Sequence, residues 1–303
     1  MKILITGSTG VVGAALGNEL KRAGHTVCRL VRPGTNVAAL RGSDGFDVKW
    51  DPATGELGAA AAGADAVVNL GGASIADERW TPERKEVLRS SRVDTTRALV
   101  TALSKMAARP RVLVSASAIG YYGNRGDELL REDSAPGNDF LSVIAKEWEA
   151  EASKAEALGI RVVLARIGIV LAKNGGALPQ MARPFRLGVG GKIGSGQQWM
   201  SWITLRDVVA ILRFCVEDGA VGGAVNLVSP QPVRNAEFTS ALAKALHRPA
   251  LFPAPSFALR LALGEMADAL LLSSQRVVPA QLEKLGYRFI DPELNAALTA
   301  ILG

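Results

Sequence analysis

Cysteine is scarce in this chain of 303 residues, which carries only Cys28 and Cys215. Each lies in an apolar run, and neither has the Cys/His spacing of a metal site, so two buried thiols are expected, with no disulfide and no metal centre. A membrane-length apolar run is also missing. The longest, "FALRLALGEMADALLL" from Phe257, is broken by Arg260, Glu265 and Asp268 and falls short of the roughly 20 clean residues a bilayer needs. A buried or docking helix is the expectation there, and no membrane partner. Massed charge is absent too: the net charge is +6, but Lys and Arg are spread among Asp and Glu. That pattern argues against nucleic acid and leaves a basic surface suited to an anionic ligand. The first strand starts within two residues of Met1, with no room for a signal peptide, so a cytoplasmic location is expected. No repeat or low-complexity segment occurs, and a hydrophobic content of 48% excludes disorder.

What is present is an alternation of short apolar strands with longer helical patterns. "KILIT", a helix from Val11, "TVCRLV", "DVKW", "DAVVNL", a helix from Pro82, "RVLVSAS", a helix from residue 139 and "RVVLARIG" follow one another. Such alternation predicts an α/β fold, a doubly wound parallel sheet with helices on both faces. Thr81 and Pro82 supply an N-cap and an N1 proline for a helix running through "PERKEVLRSSRVDTTRALVTAL". Residues 173 to 196 carry seven glycines in 24 positions, together with Arg183, Arg186 and Lys192. They read as a loop-rich lid, extended to residue 202, within a first domain of residues 1–230. Residues 231–303 form a mainly helical C-terminal module.

The first strand runs into "GSTGVVG", which puts Gly7, Gly10 and Gly13 at the turn into a helix, with Ser8, Thr9, Val11 and Val12 between them. Glycines there allow a tight turn and close approach to a pyrophosphate facing the helix N-terminus. Nineteen residues after Gly13, where an NAD site usually has a carboxylate for the ribose hydroxyls, the second strand ends in Arg32. A guanidinium there clamps a 2′-phosphate, which favours NADP(H) over NAD. "NLGG", residues 69 to 72, ends a later strand with small residues, so Leu70, Gly71 and Gly72 are candidates for close contact with the cofactor.

Ser117, in "SASAIGYYG", precedes Ser142 by 25 residues, and Lys146 follows four later in "DFLSVIAKEWEAEA". This frame is similar to the extended short-chain dehydrogenase/reductase site, in which a Ser after a strand precedes a Tyr-x-x-x-Lys helix, but Ser142 stands at the tyrosine position. "RW" at 79, "SR" at 91, "KEWE" at 146, "RIGIVL" at 166, "GGALPQMARPFRLGVGGKIGSGQQWMSWI" from Gly175 and "NLVSPQPVRNAEF" from Asn226 resemble the atypical members called the "epimerase family". These are often labelled nucleoside-diphosphate-sugar epimerases or cell-division-inhibitor-like proteins. The resemblance covers nearly the whole chain and implies a Rossmann domain of the extended type. By that resemblance NADP(H) lies against Gly7 to Gly13, Arg32, Leu70, Gly71, Arg92 and the backbone near Val170, and Lys146 holds the nicotinamide ribose. Thr204 departs from the pattern, since relatives commonly carry histidine there.

The missing phenol limits the chemistry. In the usual site the lysine lowers the tyrosine pKa from about 10, so that the phenol exchanges a proton while hydride moves. Ser142 cannot do this. Tyr121 or Tyr122 from the strand-end loop, or a water held by Ser117, are the alternatives, and the candidate catalytic set is Ser117, Lys146 and Tyr122. On the substrate side, Met181, Phe185, Trp199 and Trp202 read equally as a flat apolar wall or as core packing, with Arg183, Arg186 and Lys192 placed to receive an anionic group. Two functions fit: an NADP(H)-dependent oxidoreductase or epimerase-like enzyme acting on a small molecule, or an NADP(H)-binding sensor with little turnover. Homo-oligomerisation is compatible with either.

Overall fold

The computed structural model describes residues 1–32 and 46–303. The first half contains β1 (Lys2–Thr6), α1 (Val11–Arg22), β2 (Thr26–Val31), β3 (Phe46–Asp51), β4 (Glu56–Leu57), β5 (Ala66–Asn69), α2 (Pro82–Ser90), α3 (Val93–Ser104), β6 (Val112–Ala118), β7 (Leu129–Leu130), α4 (Phe140–Ser153), β8 (Arg161–Ile167) and β9 (Ile169–Leu171). The second half contains α5 (Leu178–Arg186), β10 (Trp199–Met200), β11 (Trp202–Thr204), α6 (Leu205–Glu217), β12 (Gly223–Leu227), β13 (Val233–Arg234), α7 (Asn235–Leu246), α8 (Ser256–Leu263), α9 (Glu265–Ala267), β14 (Arg276–Val277), α10 (Ala280–Lys284) and α11 (Leu294–Leu302).

Strand alternation builds two hydrophobic layers around an eight-stranded sheet of order β12-β8-β6-β5-β1-β2-β3-β4. All its pairings are parallel except β3 with β4. Ile3 and Ile5 point to one face, against Leu16 and Leu20 of α1 and Val208 and Leu212 of α6. Leu4 points to the other, against Leu99 and Leu103 of α3 and Ala152 of α4. Both faces are therefore covered, and the strand order reverses beside β1. In such folds ligands bind at this reversal, at the carboxyl ends of the strands.

The Pro82 helix starts as its cap predicts, with Thr81 Oγ1 accepting from Arg84 N at 3.1 Å. It does not run unbroken to residue 104. The backbone stops at Ser90 and restarts at Val93, with Arg92 as the new N-cap. The glycine-rich segment is not all loop, because α5 occupies its middle. The apolar run from Phe257 is not one helix either: Gly264, at φ 62°, divides it, and α8 buries none of its residues. The C-terminal stretch is woven into the first half. β14 pairs in parallel with β7, and Leu282, Tyr287 and Phe289 pack against the α1/α6 layer.

Candidate functional site

The turn after β1 is shaped by close approach. Gly7 sits at φ 64°, and a Cβ there would fall 2.5 Å from the Leu70 carbonyl oxygen. A Cβ on Gly13 would fall 2.2 Å from the Gly7 carbonyl oxygen, so α1 can start this close to the turn only with glycine at that position. Gly10 caps α1 with no side-chain hydrogen bond, and the first turn holds no acidic residue. The N-terminal amides and positive dipole end of a 12-residue helix are thus left for an anion. Ser8 Oγ is buried in the same turn with no hydrogen-bond partner among the described residues. A buried hydroxyl left unpaired costs free energy unless a ligand completes it. Gly10, Val11, Val12 and the exposed Thr9 complete the turn. Gly175 lies over it, so close that a Cβ there would fall 2.4 Å from Val11 Cγ2, which brings the glycine-rich segment onto the α1 start.

The second wall is the loop after β5. Thr6 Oγ1 donates to Asn69 Oδ1 at 2.7 Å and accepts from the amides of Leu70 and Gly71 at 3.0 and 3.1 Å. Asn69 Nδ2 donates to Thr96 and Ser115, and Trp148 Nε1 donates to the same Thr96 hydroxyl. Sequence reading missed this buried network; its only signal was a polar residue ending an apolar strand. Arg92 backs the loop. Its guanidinium donates to the carbonyls of Leu88 and Ala73, both at 2.9 Å, and lies 3.2 Å from where a Gly72 Cβ would be. No carboxylate pairs with it among the described residues. Burial, with Arg84 adding like charge, holds its pKa down to about 10. Arg32 is exposed directly after β2, with no partner among the described residues. Val170 pairs with Ile203 between β9 and β11.

On α4 the side chains at 142, 146 and 149 share a face and take different environments. Ser142 is fully buried; its hydroxyl donates toward the Gly120 carbonyl and Asp139 Oδ1, each at 2.9 Å. A Cβ on Gly137 would fall 2.5 Å from Ser142 Oγ, so the space a phenol would need at 142 is filled. Lys146, one turn on, is exposed and makes no hydrogen bond or ion pair among the described residues. Glu149 turns inward rather than toward Lys146.

Glu149 is the hub of a polar cluster that sequence reading did not find. It takes a bidentate pair from Arg166, Nε and Nη2 each at 2.8 Å, and the Ser117 hydroxyl at 2.6 Å. Arg166 Nη1 donates to the Tyr122 hydroxyl at 3.0 Å, and that hydroxyl donates to Asn226 Oδ1 at 2.7 Å. Burial opposes the Arg166 charge, but the Glu149 hydrogen bonds outweigh it and hold its pKa above the usual range. The sequence-based choice of Tyr122 as the phenol meets an obstacle: the ring is 0% exposed and its hydroxyl is committed at both ends. Burial pushes its pKa up to about 12. The Ser117 hydroxyl donates its hydrogen bond to Glu149, and its oxygen keeps acceptor capacity near the end of β6.

Of the two readings of the aromatics, core packing holds for most of the set. Trp202 and Phe185 are core residues, with Met181 packed against the same cluster. Trp199 is clasped between Arg234 and Arg276, whose guanidinium carbons lie 4.3 and 4.5 Å from its ring centroid. Alternating small and large residues hid this, because pattern alone cannot tell a core face from a pocket face. Arg183, Arg186 and Lys192 are exposed. Cys28 and Cys215 are buried free thiols, and no cluster of metal-ligating side chains occurs among the described residues. No helix among them is long and apolar enough to cross a membrane.

A glycine turn with an open helix N-terminus, at the strand-order reversal of a doubly wound sheet, defines a Rossmann-type dinucleotide site. The chain belongs to the NAD dependent epimerase/dehydratase family, whose model matches residues 3–227; a domain of unknown function, DUF1731, matches residues 254–301. Among its relatives is the Epimerase family protein MT2273 of Mycobacterium tuberculosis, 41% identical over 297 residues, which are 98% of this chain and 96% of that one. The crystal structure of human epimerase family protein SDR39U1 with NADPH is similar at a TM-score of 0.88 and 34% identity, over 100% of this chain and 99% of that one. A UDP-glucose 4-epimerase of Thermus thermophilus in complex with NAD matches at a TM-score of 0.77 and 16% identity, covering 100% and 98% of the two chains. At that identity the likeness is one of fold.

Proposed function

We propose that this protein is an NADP(H)-dependent oxidoreductase of the short-chain dehydrogenase/reductase type, acting on a small carbonyl or alcohol substrate at the carboxyl edge of its sheet. The observation that carries the reading is the unpaired Ser8 hydroxyl beside the uncapped start of α1. Together with the glycine cradle it fits a pyrophosphate, and no group among the described residues pairs with it. Gly7, Gly10 and Gly13 give the backbone approach, and Thr9, Val11 and Val12 line the same turn. Leu70, Gly71 and Gly72 form the opposite wall, backed by Arg92. Val170 borders the nicotinamide end, and exposed Lys146 is free to hold the ribose hydroxyls. Arg32, with no carboxylate at the end of β2, favours the 2′-phosphate of NADP(H). The NADPH in the human relative's structure supports the same choice. When bound, the cofactor supplies the hydride. The chain orients it, and Ser117, whose hydroxyl donates to Glu149, keeps an oxygen that accepts a hydrogen bond from the hydroxyl of the alcohol form of the substrate.

Ser8→Ala is the direct test of this site. It removes no hydrogen bond within the protein, so the melting temperature should stay where it is. NADPH affinity should fall about tenfold, the loss of one hydrogen bond to a charged group. Unchanged affinity would remove the pyrophosphate from this turn. A second reading, an NADP(H)-binding sensor, draws on the full commitment of the Ser142 and Tyr122 hydroxyls to the protein itself. It predicts NADPH binding with no carbonyl reduction.

A further inference from the structure

We infer that Tyr121 is the proton donor of this site, supplied from the turn after β6 instead of from α4, and that Ser142 is the strut that holds that turn. The inference rests on the oxidoreductase reading above. Tyr121 lies four residues past Ser117 in the short helical turn Ile119–Tyr122, at the carboxyl edge where Thr6 and Asn69 end their strands and Ser117 is one residue from the end of β6. Its ring lies flat on a cation: the Arg166 guanidinium carbon is 3.5 Å from the ring centroid. Ser117 and Arg166 are direct neighbours in register between β6 and β8, so the stacked ring stands over the pair that flanks the substrate position.

Of the two adjacent phenols, only one is spent. The Tyr122 hydroxyl is buried between Arg166 and Asn226, whereas the half-buried Tyr121 has a hydroxyl with no hydrogen bond among the described residues, and that oxygen is not among the enclosed ones. Its turn is fastened on both sides. The Ser142 hydroxyl donates to the Gly120 carbonyl, and Gly137 N donates to the Tyr121 carbonyl at 2.9 Å. The position that carries the phenol in the related frame therefore fixes the turn that carries it here. Against the ring stand Arg166 from β8 and the edge-on Tyr122 at 5.4 Å between centroids, and Tyr121 packs on the apolar cluster that includes Ile119, Leu130, Val228 and Val277. Arg166 is held in place by Glu149, which makes both positioning residues.

In the reaction, hydride with its electron pair leaves the reduced nicotinamide for the carbonyl carbon, and the Tyr121 O–H bond breaks as its proton passes to the carbonyl oxygen. The products are the alcohol and oxidised NADP⁺, and the phenolate recovers a proton from solvent. Arg166 stabilises the negative charge that develops on the phenol.

The experiment pairs chemical modification with one variant. Tetranitromethane, followed by peptide mass mapping, should nitrate Tyr121 and spare Tyr122, and saturating NADP⁺ should slow nitration of Tyr121 about tenfold or more by covering it. Tyr121→Phe keeps the ring on Arg166. It should bind NADPH within about twofold of the wild type and reduce the probe 9,10-phenanthrenequinone at least about 100-fold more slowly, the usual scale of a lost acid–base group. Nitration of Tyr121 that is absent, or indifferent to bound NADP⁺, overturns the inference, as does a Tyr121→Phe enzyme of wild-type rate. A wild type that binds no NADPH removes the oxidoreductase reading itself, which is a distinguishable result.

Discussion

Tyr122 keeps its proton because the protein gives the phenolate nowhere to go. Burial pushes its pKa up to about 12, although the nearby Arg166 charge pulls the other way. In the unfolded chain a tyrosine titrates near 10. Below pH about 10 both states hold the proton and the residue's contribution is intact. From there to about 12 the unfolded state loses its proton first, so stability falls, by roughly 3 kcal/mol in all for a shift of this size. Urea unfolding across this window should show a loss with wild type that is shallower in Tyr122→Phe; parallel curves would mean that the phenol is not buried as described. Burial raises the Cys215 thiol to about 12 as well, so a residual slope remains in the variant. At this scale little of the site was legible in advance. Gly7, Gly10, Gly13 and Arg32 stood out because each answers a local requirement of backbone or charge. Glu149, Arg166 and Asn226 come from three separate elements and meet only through the sheet register, which no spacing reveals.

Helix α4 shows what an element can and cannot disclose. The periodic stripe of Leu141, Ile144, Ala145, Trp148 and Ala152 is buried except at Leu141, in the first turn, which is half-buried. Its start is set by Asp139, whose carboxylate accepts from Ser142 N at 2.9 Å. Spacing also put Ser142, Lys146 and Glu149 on one face, but it could not tell that the first is sealed, the second open and the third ion-paired. Those fates depend on the turn at 120–123 and the loop at 137, which crowd the Ser142 hydroxyl. Restoring the tyrosine of the related frame should therefore fail. Ser142→Tyr is expected to lower stability by about 1–3 kcal/mol through overpacking and to bring no gain in carbonyl reduction. A stable and faster Ser142→Tyr protein would show that the pocket has room for the phenol. The break between α2 and α3 belongs to the same scale: Arg92 caps the second helix while its guanidinium reaches back to Leu88 and Ala73, a tertiary demand that overrides a continuous helical pattern.

For the whole molecule, the alternation of strands and helices was enough to read the doubly wound sheet, because burial on both faces forces continuous apolar strands separated by amphipathic helices. The C-terminal stretch was harder. It folds as helices, but β14 joins β7 and the Tyr287 ring packs at a tilt on Phe214, contacts of long sequence separation that composition does not encode. Lys85 of α2 also pairs with Glu265 of α9, and Arg79 reaches the Leu261 carbonyl at 3.4 Å, which ties the C-terminal stretch to the helix after β5. The molecule is organised around the carboxyl edge of its sheet, and its function stands on what binds there. The most direct measurement is a paired fluorescence titration of wild type and Arg32→Asp with NADPH and NADH. Wild type should bind NADPH at least about tenfold more tightly than NADH, a difference of about 1.4 kcal/mol, and Arg32→Asp should reverse the order. Equal affinities in the wild type, or a preference unmoved by Arg32→Asp, would contradict NADP(H) dependence.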